Sequence, residues 1–190
     1  MQRRDLKVIV CVTGMPGAGK STVSKTLGNI GFMIINMGNI VRDEAYKRNL
    51  SPTDNNLGAL MLELRNTLGS KAIAELCINR IKDTESNLIV IDGLRSISEV
   101  EVFQTQGKVF TIAIHASPHK RYRYLSSRRR ADDPLSWNDF RSRDLRELSI
   151  GIGSSIALAD EIISNNCLSI QELRQIALNI VKRMLKEVDN

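Results

Sequence analysis

The 190-residue chain predicts a three-layer α/β fold, in which a five-stranded parallel sheet is covered by helices on both faces. Three observations predict it. Short apolar runs alternate with stretches of helical spacing, the pattern of strand–helix–strand crossovers. The run Val8-Ile9-Val10-Cys11-Val12-Thr13 is apolar at nearly every position, as a strand buried on both faces must be. Hydrophobic residues at 42% and charged residues at 25% sit near the globular average, and the length suits one core of ordinary size.

The elements follow in order. A glycine-rich loop succeeds the first strand, and a helix runs from about 20 to 29, ended by Gly31. Phe32-Met33-Ile34-Ile35-Asn36 reads as a second strand. Residues 39–82 read as helix in three pieces, broken at Ser51-Pro52-Thr53-Asp54 and at Gly69. Leu88-Ile89-Val90-Ile91-Asp92 is a third, buried strand, and Ser96 with Glu99 forms a capping box that opens the next helix. Residues 108–115 form the fourth strand, and Ser117-Pro118 starts a basic helix over about 118–130. Ala131-Asp132-Asp133-Pro134 interrupts it, and Ser136 begins another helix. Residues 160–164 form the last strand. Ser169 and Glu172 cap a final helix whose apolar stripe, Leu173, Ile176, Ala177, Ile180, Val181, Met184, Leu185 and Val188, is a core face.

One motif stands out. Gly14-Met15-Pro16-Gly17-Ala18-Gly19-Lys20-Ser21-Thr22 matches the P-loop pattern and lies between a strand and a helix, the context that gives the pattern meaning. Glycines let backbone N–H groups turn inward around phosphate, and the new helix aims its positive dipole end at the same charge. Lys20 is placed to reach the β- and γ-phosphates of ATP, and the Ser21 hydroxyl to ligate Mg²⁺. ATP and Mg²⁺ are therefore the expected cofactors.

Other residues gather around it by position. The third strand delivers Asp92 to the carboxyl edge of the sheet, where it can hold the Mg²⁺ shell or orient a nucleophile, and Arg95 behind it can clamp a phosphate. Met37-Gly38-Asn39-Ile40-Val41-Arg42 follows the second strand, so Asn39 and Arg42 also start from that edge as candidate acceptor-binding residues. Net charge is +6, and nine Lys/Arg against four Asp between Lys120 and Arg146 concentrate +5 in one segment. That segment holds Arg128, Arg129 and Arg130, then Arg141, Arg143 and Arg146; two or three of them are expected to close over ligand, with Arg128 and Arg143 the leading candidates. His115 and His119 read as polar residues at element ends.

The remaining features exclude classes. Cys11, Cys77 and Cys167 have no paired spacing and read as buried, reduced thiols, with no zinc site. No run is long enough to span a bilayer and no signal segment opens the chain, so a cytoplasmic protein with no membrane partner is expected. Nucleic acid is an unlikely partner, since aromatics for stacking are few and no RNA-binding signature appears.

These motifs resemble those of the P-loop nucleotide kinases, above all dephospho-coenzyme A kinase and adenylate kinase, and an archaeal family related to both. The resemblance covers nearly the whole chain. Residues 37–42 look like the acceptor-site motif of adenylate kinases. Ile91-Asp92-Gly93-Leu94-Arg95 is similar to their Asp-Gly-x-x-Arg motif, with Leu94 in place of proline. Asp132-Asp133 through Arg143-Asp144 looks like the end of their lid, and Ala159 to Asn166 resembles the C-terminal segment of dephospho-coenzyme A kinases. The related kinases carry aspartate where this chain has Asn39, a neutral amide that is a poor proton acceptor. The resemblance implies a single P-loop NTPase domain with a helical acceptor-binding insertion over about 39–82 and a short lid over about 120–146. It implies phosphoryl transfer from ATP to a nucleotide-like small molecule, dephospho-coenzyme A or a nucleoside monophosphate. Two other classes stay open: an NTP-driven regulator, and a nucleic-acid binder using the basic segment.

Overall fold

The computed structural model describes residues 6–128, 130 and 132–189. Residues 1–5 and two members of the expected lid run, Arg129 and Ala131, lie outside the described residues.

Five parallel strands form one sheet in the order β2-β3-β1-β4-β5, with β1 at Val8–Thr13, β2 at Met33–Asn36, β3 at Leu88–Leu94, β4 at Lys108–His115 and β5 at Glu161–Ser164. The central strand shows why its sequence is apolar throughout. Ile9 and Cys11 face one core cluster; Val8, Val10 and Val12 face the other. Side chains alternate across a strand, so a strand covered on both sides has no polar face.

Helices α2 (Met37–Lys47), α3 (Asp54–Leu68), α4 (Ala72–Lys82) and α5 (Ile97–Gln104) cover the Ile9 side, with Ile73, Cys77, Ile91 and Phe103 fully buried among them. Helices α1 (Lys20–Gly28) and α9 (Ile170–Asp189) cover the Val10 side; Leu173, Ala177, Val181 and Met184 of the predicted stripe are buried there. Helices α6 (Pro118–Arg128), α7 (Trp137–Ile150) and α8 (Ile152–Ala157) complete the chain between β4 and β5. Among the described residues no helix is long and apolar enough to cross a membrane.

The differences from the sequence reading have local causes. Helix α2 begins at Met37, earlier than expected, because the Asn36 side chain caps it by accepting from the Asn39 N–H at 2.9 Å. Strand β3 continues past Asp92 to Leu94: Gly93, at φ 106°, absorbs a bulge, so that Thr13 pairs with Leu94 while Val12 pairs with Asp92. The last helical stretch before β5 is two helices, because Gly151 at φ 109° caps α7 and opens α8. Cys11 and Cys77 are buried as expected, but Cys167 is exposed, since it sits in the turn between β5 and α9.

Ile91 lies at the centre of β3 with no exposure. Ile91→Ala should lower unfolding free energy by about 2–5 kcal/mol, read from urea denaturation; a loss well below that range would show that the α2–α5 layer collapses around the gap.

Candidate active site

The site is built at the carboxyl edge of the sheet, where the chain crosses from the β2-β3 half to the β4-β5 half, the usual position for ligands of open parallel sheets. The loop from Gly14 to Gly19 leaves β1 there. Gly14 takes φ 138°, and a Cβ on it would stand 2.2 Å from the Ile114 carbonyl oxygen of β4, so only glycine lets the loop turn this tightly against its neighbour. Gly19, at φ 114°, caps α1, and its missing Cβ leaves room for Asn165, whose Nδ2 donates to the Ala18 carbonyl at 2.8 Å.

Lys20, the first residue of α1, folds back over the loop and donates to Gly14 O at 2.7 Å and Met15 O at 3.2 Å. Burial lowers its pKa to about 8, with Arg95 and Arg143 acting in the same direction and Asp92 and Glu147 opposing. Its charge is thus poorly solvated, which suits a group that meets phosphate.

Ser21, Asp92 and Asn36 meet at the strand ends. Asp92 Oδ2 accepts from Ser21 Oγ at 3.0 Å and from Asn36 Nδ2 at 2.9 Å. The register makes this contact: Asn36 and Asp92 are direct partners on β2 and β3. A hydroxyl and a carboxylate side by side are the hard oxygen donors Mg²⁺ takes, with the rest of its shell from water and phosphate. Among the described residues there is no cluster of three or more acidic, His or Cys side chains, so a protein cage for a metal is absent and this sparse pair fits Mg²⁺ held mainly by nucleotide.

Four arginines of the wall, Arg42, Arg95, Arg128 and Arg143, are each held by an acid. Arg95 Nε donates to Glu147 Oε2 at 2.7 Å, and its NH1 to the Gly93 carbonyl at 3.0 Å. Glu147 is buried on α7; burial raises its pKa, but Arg95, Arg143 and Lys20 outweigh that and hold it below the ordinary carboxylate range. Arg42 donates to Asp132 at 3.0 Å and to Asn39 Oδ1 at 3.1 Å. Arg143 donates to the Asp132 carbonyl at 2.7 Å and stands 3.3 Å from Asp54. Arg128 is gripped by Asp133, and Arg146 by both oxygens of Asp54.

Pro16, Gly17, Gly19, Lys20, Ser21, Thr22, Asn36, Arg42, Asp92, Arg95, Tyr124, Arg128 and Arg143 therefore line one cleft, together with Arg130 and the buried Asp132. Gly14 lies in a deeper recess with Arg95 and Glu147. Met15 and Ala18 are not on the cleft wall, and Ala18 is buried beneath the loop. Asn39 is not on the cleft wall: it is the third residue of α2, lines the neighbouring groove beside β2, and touches the cleft through Arg42. Arg141 is exposed on α7 away from the cleft, and Arg146 lies deeper toward α3. Arg121 is buried in a bidentate pair with Asp144, a structural role within the basic segment. His119 is an element-end residue that stacks on Trp137 at 5.0 Å.

Sequence reasoning missed Asn36, Asp54, Glu147 and Tyr124. Asn36 had a signal, a strand-final Asn before a helix. Glu147 and Asp54 had none, because their partners are far along the chain.

A phosphate-cradling loop, a lysine, a hydroxyl–carboxylate pair and an arginine wall at the edge of a parallel sheet define the class: a P-loop NTPase fold. The chain belongs to the UPF0200 family, and within it residues 13–141 match the family model described as AAA domain. It is 40% identical to a UPF0200 protein of Hyperthermus butylicus over 94% of this chain and 95% of that one. Among solved structures it is similar to TT1252 from Thermus thermophilus, with TM-score 0.67 and 18% identity over 95% of this chain and 99% of that one. It is also similar to shikimate kinase from Acinetobacter baumannii in complex with shikimate, with TM-score 0.61 and 18% identity over 96% of this chain and 95% of that one. At such identities these structures carry the fold alone, a three-layer α/β P-loop fold. The family found is not specifically that of dephospho-coenzyme A kinase or adenylate kinase.

Removing one partner of a buried ion pair leaves the other charge uncompensated. Glu147→Ala should cost about 3 kcal/mol near neutral pH. Because the Glu147 pKa is depressed in the folded state, its contribution is present above the unfolded value of 4.5 and is lost as pH falls below it. Wild type and variant should therefore converge in stability on acidification, measured by denaturant melts from pH 7 to 3.

Proposed function

We propose that the chain is an ATP- and Mg²⁺-dependent phosphotransferase acting on a nucleotide-like small molecule. The observation that carries the reading is the cleft itself, which Lys20 and the Ser21–Asp92–Asn36 cluster line together with Arg42, Arg95, Arg128 and Arg143. Phosphoryl transfer needs little from a protein beyond positioning and positive charge around the transferring group. In this reading the glycine loop and Lys20 hold the ATP phosphates, Ser21 and Asp92 hold the magnesium, and Arg128 and Arg143 close from the lid. Bound Mg²⁺ would supply neutralisation of the phosphate oxygens. Arg42 and Arg95, with helices α2–α4, would receive the acceptor, dephospho-coenzyme A or a nucleoside monophosphate. Asp92 is the carboxylate best placed to orient an acceptor hydroxyl.

All four arginines have carboxylate partners. A guanidinium carries five N–H donors, so a group held by an acid on one edge can still donate to a bound phosphate with the others.

An ATP-consumption screen over nucleoside monophosphates and dephospho-coenzyme A tests the reading directly. Turnover with no member of the panel, alongside tight MgATP binding, would favour a nucleotide-dependent regulator. Lys20→Ala should weaken MgATP binding and abolish transfer; unchanged titration calorimetry would remove the loop from the site.

The depressed lysine gives a pH signature. Below about pH 8 Lys20 is charged before ligand binds. Above it, the protein must take up a proton to meet the phosphates. MgATP affinity should therefore fall as pH rises from 8 to 10, by up to about tenfold per unit, with proton uptake visible when calorimetry is repeated in buffers of different ionisation enthalpy. Neutralising Arg128 and Arg143 together should abolish turnover in protein that is still folded. Their pairs with Asp133 and Asp132 are mostly buried, so the melting temperature should fall as well. Turnover is therefore compared at a temperature where the variant is fully native, and normal turnover there would show that these arginines are structural.

A further inference from the structure

On the Ile9 side of the sheet a separate cavity of about 210 Å³ opens between α5 and α8, over the first half of β4. It shares no lining residue with the P-loop cleft. Ile97 and Val100 of α5, Val109 of β4 and Leu158 beyond α8 make its wall largely apolar, and Leu158 is left 68% exposed. The polar groups are few and incompletely used. Ser155 of α8 is 1% exposed, yet its hydroxyl has no hydrogen-bond partner. A buried hydroxyl in that state costs free energy that a bound group can recover. Asp160 is the only charged side chain of the lining among the described residues. Its Oδ2 accepts from the Thr111 N–H at 2.6 Å and from the Thr111 hydroxyl at 2.7 Å, while its Oδ1 has no protein partner among the described residues.

The cavity backs onto the cleft. Leu94 lines it and also lines the recess that holds Gly14, Arg95 and Glu147. Arg95 follows Leu94 and leads into α5, and its partner Glu147 stands near the end of α7. Gly151, where α7 ends and α8 begins, donates its N–H to the Glu147 carbonyl. A Cβ on Gly151 would stand 3.9 Å from the Arg95 carbonyl oxygen, so this joint lies against the turn that carries Arg95. A body wedged between α5 and α8 therefore acts on both partners of the Arg95–Glu147 pair.

We propose that this cavity is a regulatory site for a small amphiphilic cation, an apolar body bearing one ammonium group, whose binding reaches the cleft through Arg95 and Glu147. The chemistry of the lining sets the class. A dry cavity of about 150 Å³ takes a benzene ring, so this one has room for a ring and a short arm. The apolar wall receives the ring, and a lone carboxylate with a free oxygen calls for a positive donor. The site goes beyond the kinase reading and draws on it only for MgATP as the second ligand of the test.

Benzylamine is the probe, with benzyl alcohol and benzoate as its neutral and anionic counterparts. Amide NMR titration of the full chain should show saturable shifts around Val100, Ser155 and Asp160. Benzylamine should bind about tenfold or more tightly than benzyl alcohol, the scale of one hydrogen bond to a charged group, and benzoate should not bind. Asp160→Asn keeps an acceptor for Thr111 and should erase that preference. Ser155→Ala should weaken benzylamine about threefold, and Val100→Trp should fill the cavity and abolish binding. Saturating benzylamine should change MgATP affinity by about fivefold or more, and MgATP should change benzylamine affinity by the same factor. Absence of saturable shifts, equal binding of the three probes, or amine binding that none of the variants weakens overturns the site. So does a dimer in sedimentation that Val100→Trp dissociates, which would give the face to a second copy of this chain. Bound benzylamine with unchanged MgATP affinity overturns the regulatory role. Failure of MgATP to bind at all removes the reading of the cleft, while the benzylamine titration still decides the cavity.

Discussion

Asp92 is the point on which the site depends. Its Oδ2 accepts from Ser21 at the start of α1 and from Asn36 at the end of β2, while its own strand lies against β1. One buried carboxylate therefore ties together the loop after the first strand, the helix behind it and the second strand. The contact exists because β2, β3 and β1 are parallel and in register, which ends all three strands at one edge. The register is held by the packing of both apolar faces under their helices and by the bulge at Gly93, and the position of the carboxylate follows from it.

The second constraint is the pairing of charge. The basic segment looks in isolation like an anion-binding surface, but most of its cationic side chains are spoken for. Arg121 with Asp144 builds the packing of α6 on α7, and its guanidinium also lies over Phe140 at 4.9 Å. Arg143 and Arg146 converge on Asp54, which draws α7 toward α3, and Arg146 can lie against α3 because Gly58 has no side chain to block it. Arg95 with Glu147 fastens α7 to the strand that carries Asp92. The acids pre-orient the guanidinium groups that face the cleft, which reduces the freedom those groups must lose when an anion binds.

Much of the fold was legible because it rests on local rules. The unbroken apolar runs at residues 8–13 and 88–92 announced strands buried on both faces, and the capping boxes at Ser96 and Ser136 opened helices where the pattern said. The P-loop was legible for a related reason. A chain must place glycines at fixed intervals to pass so close to Ile114 and Arg121, and that necessity is written as spacing. Asn39 marks the limit of this kind of reading. Its motif position led to the cleft, but in the structure Asn36, at the strand end, holds Asp92, while the Asn39 side chain lines the groove beside β2 and reaches the cleft only through its hydrogen bond with Arg42.

The sequence by itself determined the strand–helix alternation, the phosphate loop and the carboxylate at the end of β3, since each depends on neighbours within a few residues. Only the tertiary structure decided which arginines face the cleft and which serve as struts. It also decided that Asn36 holds Asp92, and that a groove opens beside β2. Those outcomes depend on pairs such as Arg42 with Asp132 and Arg146 with Asp54, which lie 90 and 92 residues apart. No local pattern encodes such a pair: the charge on an arginine is fixed by its chemistry, but its partner is fixed by where the packed sheet and helices bring the chain back together.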